Sequence, residues 1–202
     1  KWKVKGSKSA SYTSINQNTE KELLKNKADR YILACGINEL WDEKKEKATD
    51  VDLQVLKSQI TAVIQKLKAA NTKVTLCSPH QILAGKNEAA NKRISEVSSA
   101  IKTLAEEQGV AFCDFHDAFK QINEAGDPGE RTKGLSTKDG YKPNDAGNEA
   151  IIASIAKSLS LKSGSSSSKN FGPAKIANIN RKLEKGDVIV LAGPEQVKHL
   201  AQ

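Results

Sequence analysis

The stretch RYILACG, residues 30–36, is a short apolar run, and a second one, TKVTLCSP, follows at residues 72–79. Between them, residues 50–70 carry apolar side chains three and four positions apart, which is the spacing of an amphipathic helix. A buried strand, a helix and a second buried strand in this order predict two parallel strands joined by a helical crossover. The predicted fold class is therefore α/β.

The same alternation continues towards the C-terminus. Four more elements are predicted there: a helix over residues 86–109, a strand over 110–115, a short helix over 116–126 and a last helix over 144–159. Helices that alternate with apolar strands cover both faces of one parallel sheet. Residues 1–162 are therefore predicted to form the main part of a three-layer domain.

The C-terminal segment is predicted to complete that domain. SGSSSS, residues 163–168, has the composition of a flexible linker, and residues 169–202 contain a helical pattern and then DVIVLAG, residues 187–193. Because only a strand covered on both faces is this apolar, we place DVIVLAG inside the sheet, between YILACG and KWKVKG. The C-terminal segment then supplies the first β-α unit of a five-stranded, flavodoxin-like parallel sheet.

Composition and charge limit the classes of partner. The chain of 202 residues has a net charge of +8, and no nucleic-acid-binding motif accompanies the charge, so a nucleic acid is disfavoured. No apolar run approaches the roughly 20 residues that cross a bilayer. The start, KWKVKGSKSA, is not followed by the apolar region of a signal peptide. These patterns predict a soluble protein without a membrane span.

Cys35, Cys77 and Cys113 each lie near the end of a predicted strand. Their odd number, and the absence of any C-x-x-C pair, argue against a disulfide framework and against a zinc site. We predict buried thiols that act as small hydrophobic side chains. No metal or other cofactor is expected.

Two stretches carry a resemblance to a known family. ADRYILACGINEL, residues 28–40, is a strand pattern that ends in G-x-N-E, and DGYKPNDAGNEAIIASIA, residues 139–156, places an Asp, a Pro-Asn pair and a Gly before a helix. They resemble the third and fifth sequence blocks of the SGNH, or GDSL, hydrolases, whose fifth block reads D-x-x-H-P-N. The resemblance implies a flavodoxin-like fold and, in active members, attack on an ester or amide carbonyl.

In that family a Ser is the nucleophile, a His three residues after an Asp is the general base, and a Gly amide and an Asn side chain stabilise the oxyanion. The resemblance assigns the Asp position to Asp139 and the oxyanion positions to Asn38 and Gly6. It places Lys142 at the His position and, in the rearranged order, Glu195 at the Ser position. A Lys near its ordinary pKa of about 10.4 is protonated at pH 7, and a Glu is a weak acyl nucleophile.

Several of these positions also have a structural interpretation. Asp139 is equally a turn residue ahead of Gly140, and Asn38 is equally a cap of the segment that follows it. His80, just after the predicted strand TKVTLCSP, is the alternative base if the catalytic residues of this chain are not at the family positions. Residues 42–50, DEKKEKATD, are predicted to be a solvated connection between helices.

The sequence leaves two classes of function open. One is a non-catalytic SGNH-like domain that binds an anionic glycan, a cell-wall polymer or a protein, with Lys142 and Glu195 as an ion pair. The other is an ester hydrolase or acyltransferase with an altered set of residues, such as His80 with Ser7 or Ser9. Lys and Glu at the matched His and Ser positions favour the first. A man-made Ser-rich connection, in a circularly permuted or inactivated protein, is a further explanation of the element order.

Overall fold

The structure of the chain, a computed structural model, describes residues 11–26, 28–34, 36–42, 47–83, 88–125, 135–160 and 188–190. The strands in these ranges are β1 (Arg30–Ala34), β2 (Trp41–Asp42), β3 (Lys47–Ala48), β4 (Lys73–Cys77), β5 (Ala111–Cys113) and β6 (Val188–Val190). The α-helices are α1 (Tyr12–Asn18), α2 (Ile37–Leu40), α3 (Leu53–Ala69), α4 (Glu88–Glu107), α5 (Phe115–Ala125) and α6 (Asp145–Ser158). None of these helices is long and apolar enough to span a membrane.

Four of the strands form one parallel sheet in the order β5–β4–β1–β6. β1 lies between β4 and β6, with Ile32 opposite Thr75 on one side and opposite Ile189 on the other. The predicted α/β class is therefore confirmed, and so is the pairing of DVIVLAG with YILACG. KWKVKG, the predicted neighbour on the other side of DVIVLAG, lies outside the described residues, as does the linker at 163–168. The fifth strand and the rearranged order stay predictions.

Helix α3 follows directly from its sequence. Asp52 begins the helix, and its carboxylate accepts the backbone N–H groups of Gln54 at 2.8 Å and Val55 at 3.2 Å. The apolar stripe of the helix is buried against the sheet and consists of Leu56, Ile60, Val63, Ile64 and Leu67. Each of these side chains contributes about 1.5–3 kcal/mol by leaving water, which is what holds the helix on the sheet.

The two faces of the sheet are covered by different helices. Tyr31, Leu33 and Leu76 belong to the larger core cluster, together with buried residues of α1, α3 and α4. Ile32 and Cys77, one position away on the same strands, belong to a second cluster with residues of β5, α5 and α6. Because side chains alternate between the faces of a strand, the sheet lies between two helical layers, as predicted.

Two smaller predictions have different outcomes. Cys77 and Cys113 are free, buried thiols, as expected, whereas Cys35 lies outside the described residues. Residues 42–50 lie between helices α2 and α3, as predicted, and residues 48–50 are exposed, but the antiparallel pairing of β2 with β3 in this stretch was not predicted. The strand pair begins at Trp41, which is 5% exposed and part of the larger core cluster.

The last helix begins where the sequence places its start. Asn144 is the N-cap of α6, and its side-chain oxygen accepts the N–H of Gly147 at 3.0 Å. The amide nitrogen of the same side chain donates to the carbonyl of Leu135 at 3.1 Å. One side chain therefore starts the helix and holds the loop of residues 135–144, which precedes it.

Gly147 allows this loop to pack directly on the first turn of α6. A Cβ atom at position 147 would lie 2.1 Å from the carbonyl oxygen of Ser136 and 3.1 Å from Cβ of Pro143. The same carbonyl accepts the backbone N–H of Asn144 at 3.0 Å, so it cannot retreat without breaking that hydrogen bond. Only glycine fits this contact.

We expect Gly147→Ala to lower the free energy of unfolding by about 1–3 kcal/mol, because the added methyl group overpacks a contact bounded by backbone atoms. At an ordinary helical position the same change stabilises by roughly 0.5–1 kcal/mol. Urea denaturation followed by circular dichroism measures the difference. Gly109→Ala is the comparison: at a φ of +59° the alanine strains the backbone, but nothing lies within 4 Å of its Cβ atom, so its cost in stability contains no overpacking. Only Gly147→Ala should shift the amide resonances of the 135–144 loop; unchanged shifts and stability would contradict the packing.

Candidate functional site

The carboxyl ends of β1, β4 and β5 meet at one edge of the sheet, which is where open α/β folds bind their ligands. Gly36, after β1, lies against Pro79, after β4, so that a Cβ on Gly36 would be 3.5 Å from Cβ of Pro79. The rings of Trp41 and Tyr141 are in contact, with centroids 5.4 Å apart. The loop of residues 135–144 therefore reaches the same edge as the segments that follow β1 and β4.

Asn38 lies in α2, the short helix directly after β1. Gly36, with a φ of 119°, is the N-cap of that helix, and it provides no side-chain cap. The interpretation of Asn38 as a cap is therefore wrong, because Asn38 is inside the helix. Its side chain is exposed, as an amide that binds an oxyanion must be.

Glu39 ties the turn after β1 to the start of α1. Its carboxylate accepts the backbone N–H of Tyr12, the first residue of that helix. Burial raises the pKa of Glu39, while the backbone N–H groups of Tyr12, Glu39 and Gly36 act in the opposite direction. The second carboxylate oxygen, Oε2, is buried and has no hydrogen-bond partner within the described ranges. Glu39 thus links the short helix that carries Asn38 to the start of α1.

Asp139 and Lys142 form an ion pair on one turn of the 135–144 loop. Nζ of Lys142 is 3.1 Å from Oδ2 of Asp139. Oδ1 of the same carboxylate accepts the backbone N–H groups of Tyr141 at 3.1 Å and Lys142 at 2.6 Å. The interpretation of Asp139 as a turn residue is therefore correct. The three-residue spacing that the resemblance gives to an Asp–His pair is used here by an Asp–Lys pair.

The carboxylate of Asp139 is held in its charged form. Partial burial acts to raise its pKa, but hydrogen bonds from the backbone of Lys142 and Tyr141, and the Lys142 ammonium itself, place the pKa below its ordinary value. The two side chains of the ion pair are 33% and 36% exposed, so solvent screens their attraction. A pair of this kind contributes about 0–1 kcal/mol, and the backbone hydrogen bonds do most of the ordering of the turn.

His80, the alternative base, is buried beneath the loop. Its Nε2 atom is 2.7 Å from the carbonyl oxygen of Tyr141, and its ring packs on Phe119 with centroids 4.7 Å apart. A carbonyl only accepts hydrogen bonds, so Nε2 carries the proton. Burial lowers the pKa of His80 to about 4, against the effect of the Tyr141 hydrogen bond. The imidazole is neutral at pH 7 and is engaged by the loop backbone.

The hydroxyl of Ser78, which follows β4, forms hydrogen bonds with the first residues of α5 and with Asp114 before it. It donates to Oδ1 of Asp114 at 3.0 Å and accepts the backbone N–H of His116 at 2.9 Å. Asp114 also accepts the N–H of Asp117 at 3.0 Å. A Ser, an Asp and a His are close together here, but His116 contributes its backbone to these hydrogen bonds. The arrangement is a helix cap and not a nucleophile with its base.

Four of the predicted site residues lie at this edge: Asn38, His80, Asp139 and Lys142. Those outside the described residues, whose roles stay predictions, are Gly6, Ser7, Ser9 and Glu195. In the part of the chain that the structure describes, no group of three or more His, Cys, Asp or Glu side chains could hold a metal ion.

Asn91 is a structural support of this edge that the sequence analysis missed. It is buried on α4, where its Oδ1 accepts the N–H of Ile82 at 3.1 Å and its Nδ2 donates to the carbonyl of Ile82 at 2.9 Å. Beyond the end of β4, no strand within the described ranges pairs with the backbone of Ile82. The side chain of Asn91 supplies the two hydrogen bonds that such a strand would provide. The signal for it was present, because Asn91 stands three residues before Ile94 on an apolar stripe, where a polar side chain is buried and requires partners.

A comparison with protein families matches residues 4–150 to the GDSL-like Lipase/Acylhydrolase family. The chain belongs to this family. The matched range of this GDSL-like chain includes Asn38, Asp139 and Lys142, and it covers well over half of the sequence. A search of curated proteins finds no significant match to the GDSL-like chain.

Solved structures with the same fold include several esterases. Axe2, an acetylxylan esterase from Geobacillus stearothermophilus, is 17% identical over 76% of this GDSL-like chain and 69% of its own, with a TM-score of 0.64. Two of its structures are catalytic mutants in which a serine or a histidine is replaced by alanine. The acetyl xylan esterase AlAXEase is 25% identical over 75% of this chain and 77% of its own, with a TM-score of 0.66. LAE5, an alpha/beta hydrolase from the metagenome of Lake Arreo, Spain, is 17% identical over 76% and 69%, with a TM-score of 0.65.

We expect Asp139→Ala to lower the free energy of unfolding by about 1–2 kcal/mol at pH 7, because two backbone N–H groups lose their acceptor. The pKa of Asp139 is depressed in the folded chain, so the stabilisation is present above its ordinary value of 3.8 and is lost as the pH falls through the folded value. Urea denaturation at neutral and at strongly acidic pH should show the larger difference at neutral pH. Lys142→Met, which removes only the ammonium, should cost less than about 1 kcal/mol. A cost of Asp139→Ala that grows in acid would contradict this account.

Proposed function

We propose that this GDSL-like domain binds an acetylated polysaccharide without hydrolysing it. The proposal is carried by Lys142, which stands where the family resemblance expects the general base. Its ammonium is 3.1 Å from the carboxylate of Asp139. A protonated amine in an ion pair does not accept a proton from an attacking hydroxyl, so the step that activates a nucleophile has no base at this position.

An ester hydrolase with an altered set of residues is the second candidate. Family membership and the acetylxylan esterases among the similar structures favour it. Its candidate base, however, is His80, which is 7% exposed and donates to the carbonyl of Tyr141. Nδ1 of that imidazole is unprotonated, but burial lowers the pKa of His80 to about 4, so it is a weak base for a serine hydroxyl. We therefore prefer binding without turnover.

The class of ligand is inferred from the relatives and from the charge of the chain. Axe2 and AlAXEase are esterases of acetylated xylan by name, which makes an acetylated xylan the first candidate ligand. A net charge of +8 additionally favours glycans that carry carboxylate groups, such as an acidic cell-wall polymer. Ligand and protein would meet at the edge that carries Asn38 and Lys142.

We expect the chain to hydrolyse p-nitrophenyl acetate with a turnover far below the ordinary range of about 1–10³ per second. Oxyanion donors alone still accelerate such reactions by about 10³–10⁴ over water, so the rate is compared with that of Asn38→Ala and not only with buffer. Release of p-nitrophenolate is followed by absorbance. Ordinary turnover that disappears in His80→Ala, or on replacing Ser7 or Ser9, would overturn the proposal in favour of the altered hydrolase.

The reverse test adds the expected base and nucleophile to the same positions. Lys142→His combined with Glu195→Ser should raise the rate by about 10²-fold or more if the family geometry is retained. Lys142→Met combined with Glu195→Ser is the matched control, because it removes the ammonium without supplying a base. Equal rates in the two double variants would show that position 142 is not the place of the base.

We expect an acetylated xylo-oligosaccharide to bind saturably and to be recovered with its acetyl groups intact. Amide resonances of residues 36–38 and 139–142 should shift during an NMR titration, because these segments form the proposed site. A chemically deacetylated oligosaccharide of the same length should bind at least several-fold more weakly. A uronic-acid-substituted oligosaccharide tests the contribution of charge. Absence of shifts at these residues with all three sugars would refute the binding proposal.

A further inference from the structure

The loop that carries the ion pair rests on the segment after β4, residues 79–83, which we call the clamp segment. The imidazole N–H of His80 donates to the carbonyl of Tyr141 at 2.7 Å. The backbone N–H of Leu83 donates to the carbonyl of Gly140 at 2.6 Å. Two consecutive carbonyl groups of the loop are therefore bound by one short piece of chain beneath them.

These two carbonyls lie inside the turn between Asp139 and Lys142. The N–H groups of Tyr141 and Lys142 are bound by the Asp139 carboxylate, at 3.1 Å and 2.6 Å. The carbonyls at positions 140 and 141 point the other way and are bound by the clamp segment. The backbone of the turn is thus held on one side by its own aspartate and on the other by His80 and Leu83.

The clamp segment is itself fixed on the core. Asn91 binds both the N–H and the carbonyl of Ile82, at 3.1 Å and 2.9 Å. A second connection runs through side chains: Ser136 donates to Asn123 at 2.9 Å, and Asn123 donates to Gln81 at 3.1 Å. The imidazole next to these anchors therefore has a fixed position relative to the sheet, which a side chain on a free loop would lack.

We propose that His80 is the positioning residue of this site: a neutral imidazole with its proton on Nε2 holds the Tyr141 carbonyl and thereby sets the geometry of the Asp139–Lys142 pair. What that pair does for a ligand rests on the proposed function, but the positioning does not. The ring of His80 packs on Phe119, and the position needs a single uncharged donor towards the Tyr141 carbonyl. A charged donor in this buried position would carry a large desolvation cost.

The wild-type chain tests the first half of the proposal. ¹⁵N NMR of the histidine ring distinguishes the two neutral tautomers and the imidazolium. We expect the resonances of His80 to show a protonated Nε2 and an unprotonated Nδ1 at pH 7, with no cation until well into the acid range, as its pKa of about 4 requires. A proton on Nδ1 alone, or a cation at pH 7, would overturn the proposal.

Variants test the second half through the pKa of Asp139, followed by the ¹³C resonance of its carboxyl group. His80→Phe keeps a ring against Phe119 and removes the donor, so the pKa of Asp139 should rise towards its ordinary value. His80→Gln retains an N–H group at the distance of Nε2 and should keep the pKa depressed. Ile64→Val lowers stability elsewhere in the core and should leave the Asp139 pKa unchanged.

An Asp139 pKa in His80→Phe equal to that of the wild type would refute the positioning role. If His80→Phe does not fold, the tautomer of the wild-type chain and the response of His80→Gln decide the question. A raised Asp139 pKa in His80→Gln would then count against the donor as the relevant property. Ester turnover by the wild-type chain would refute the proposed function and leave this result intact, so the two failures are distinguishable.

Discussion

The pair of hydrogen bonds between Asn91 and the backbone of Ile82 is the contact on which the carboxyl edge of the sheet depends. Where β4 ends, the chain leaves the sheet but stays buried, and its N–H and carbonyl groups need partners that no strand supplies. An unpartnered buried group costs about 1–3 kcal/mol, so the position of this segment is dictated by the side chain that can satisfy it. The loop of residues 135–144 then docks on a segment that is already fixed.

The turn at residues 139–142 is ordered by its own carboxylate. The family resemblance gives the position of Asp139 to an aspartate that orients an imidazole, whereas this carboxylate binds two backbone N–H groups and an ammonium. Under the proposed function, the turn presents a fixed positive charge where the resemblance expects a base. Function resides in a few side chains grafted on a fold, so family membership does not by itself decide between the two groups.

Much of the layout could be predicted from the sequence, because periodicity records which faces are buried. Strands β1 and β4 and the long helices α3 and α4 are all visible as apolar runs or stripes. Asn38 and Asp139 could be proposed as site residues because the motif gives their positions in the sequence. The strand pair after α2 could not, since its strands are two residues long and only one of the four side chains, that of Trp41, is apolar and buried.

The contacts within the site could not be predicted from the sequence, for a different physical reason. The contact of His80 with Tyr141, and that of Gly147 with Ser136, depend on how separate segments pack and not on any local pattern. A histidine near the edge of a sheet suggests a base. The burial of His80 and its contact with the Tyr141 carbonyl, neither of which a sequence displays, support the positioning role that we propose for it.

The pairing of β1 with β6 has a consequence for how the protein is made. Tyr31 lies opposite Val188, so β1 pairs with a strand, β6, that lies far later in the sequence. Parallel contacts between such distant residues form slowly, and until then one side of β1 presents unpaired N–H and carbonyl groups. Until residues 188–190 have been synthesised, the growing chain therefore exposes a strand edge that can pair with other chains.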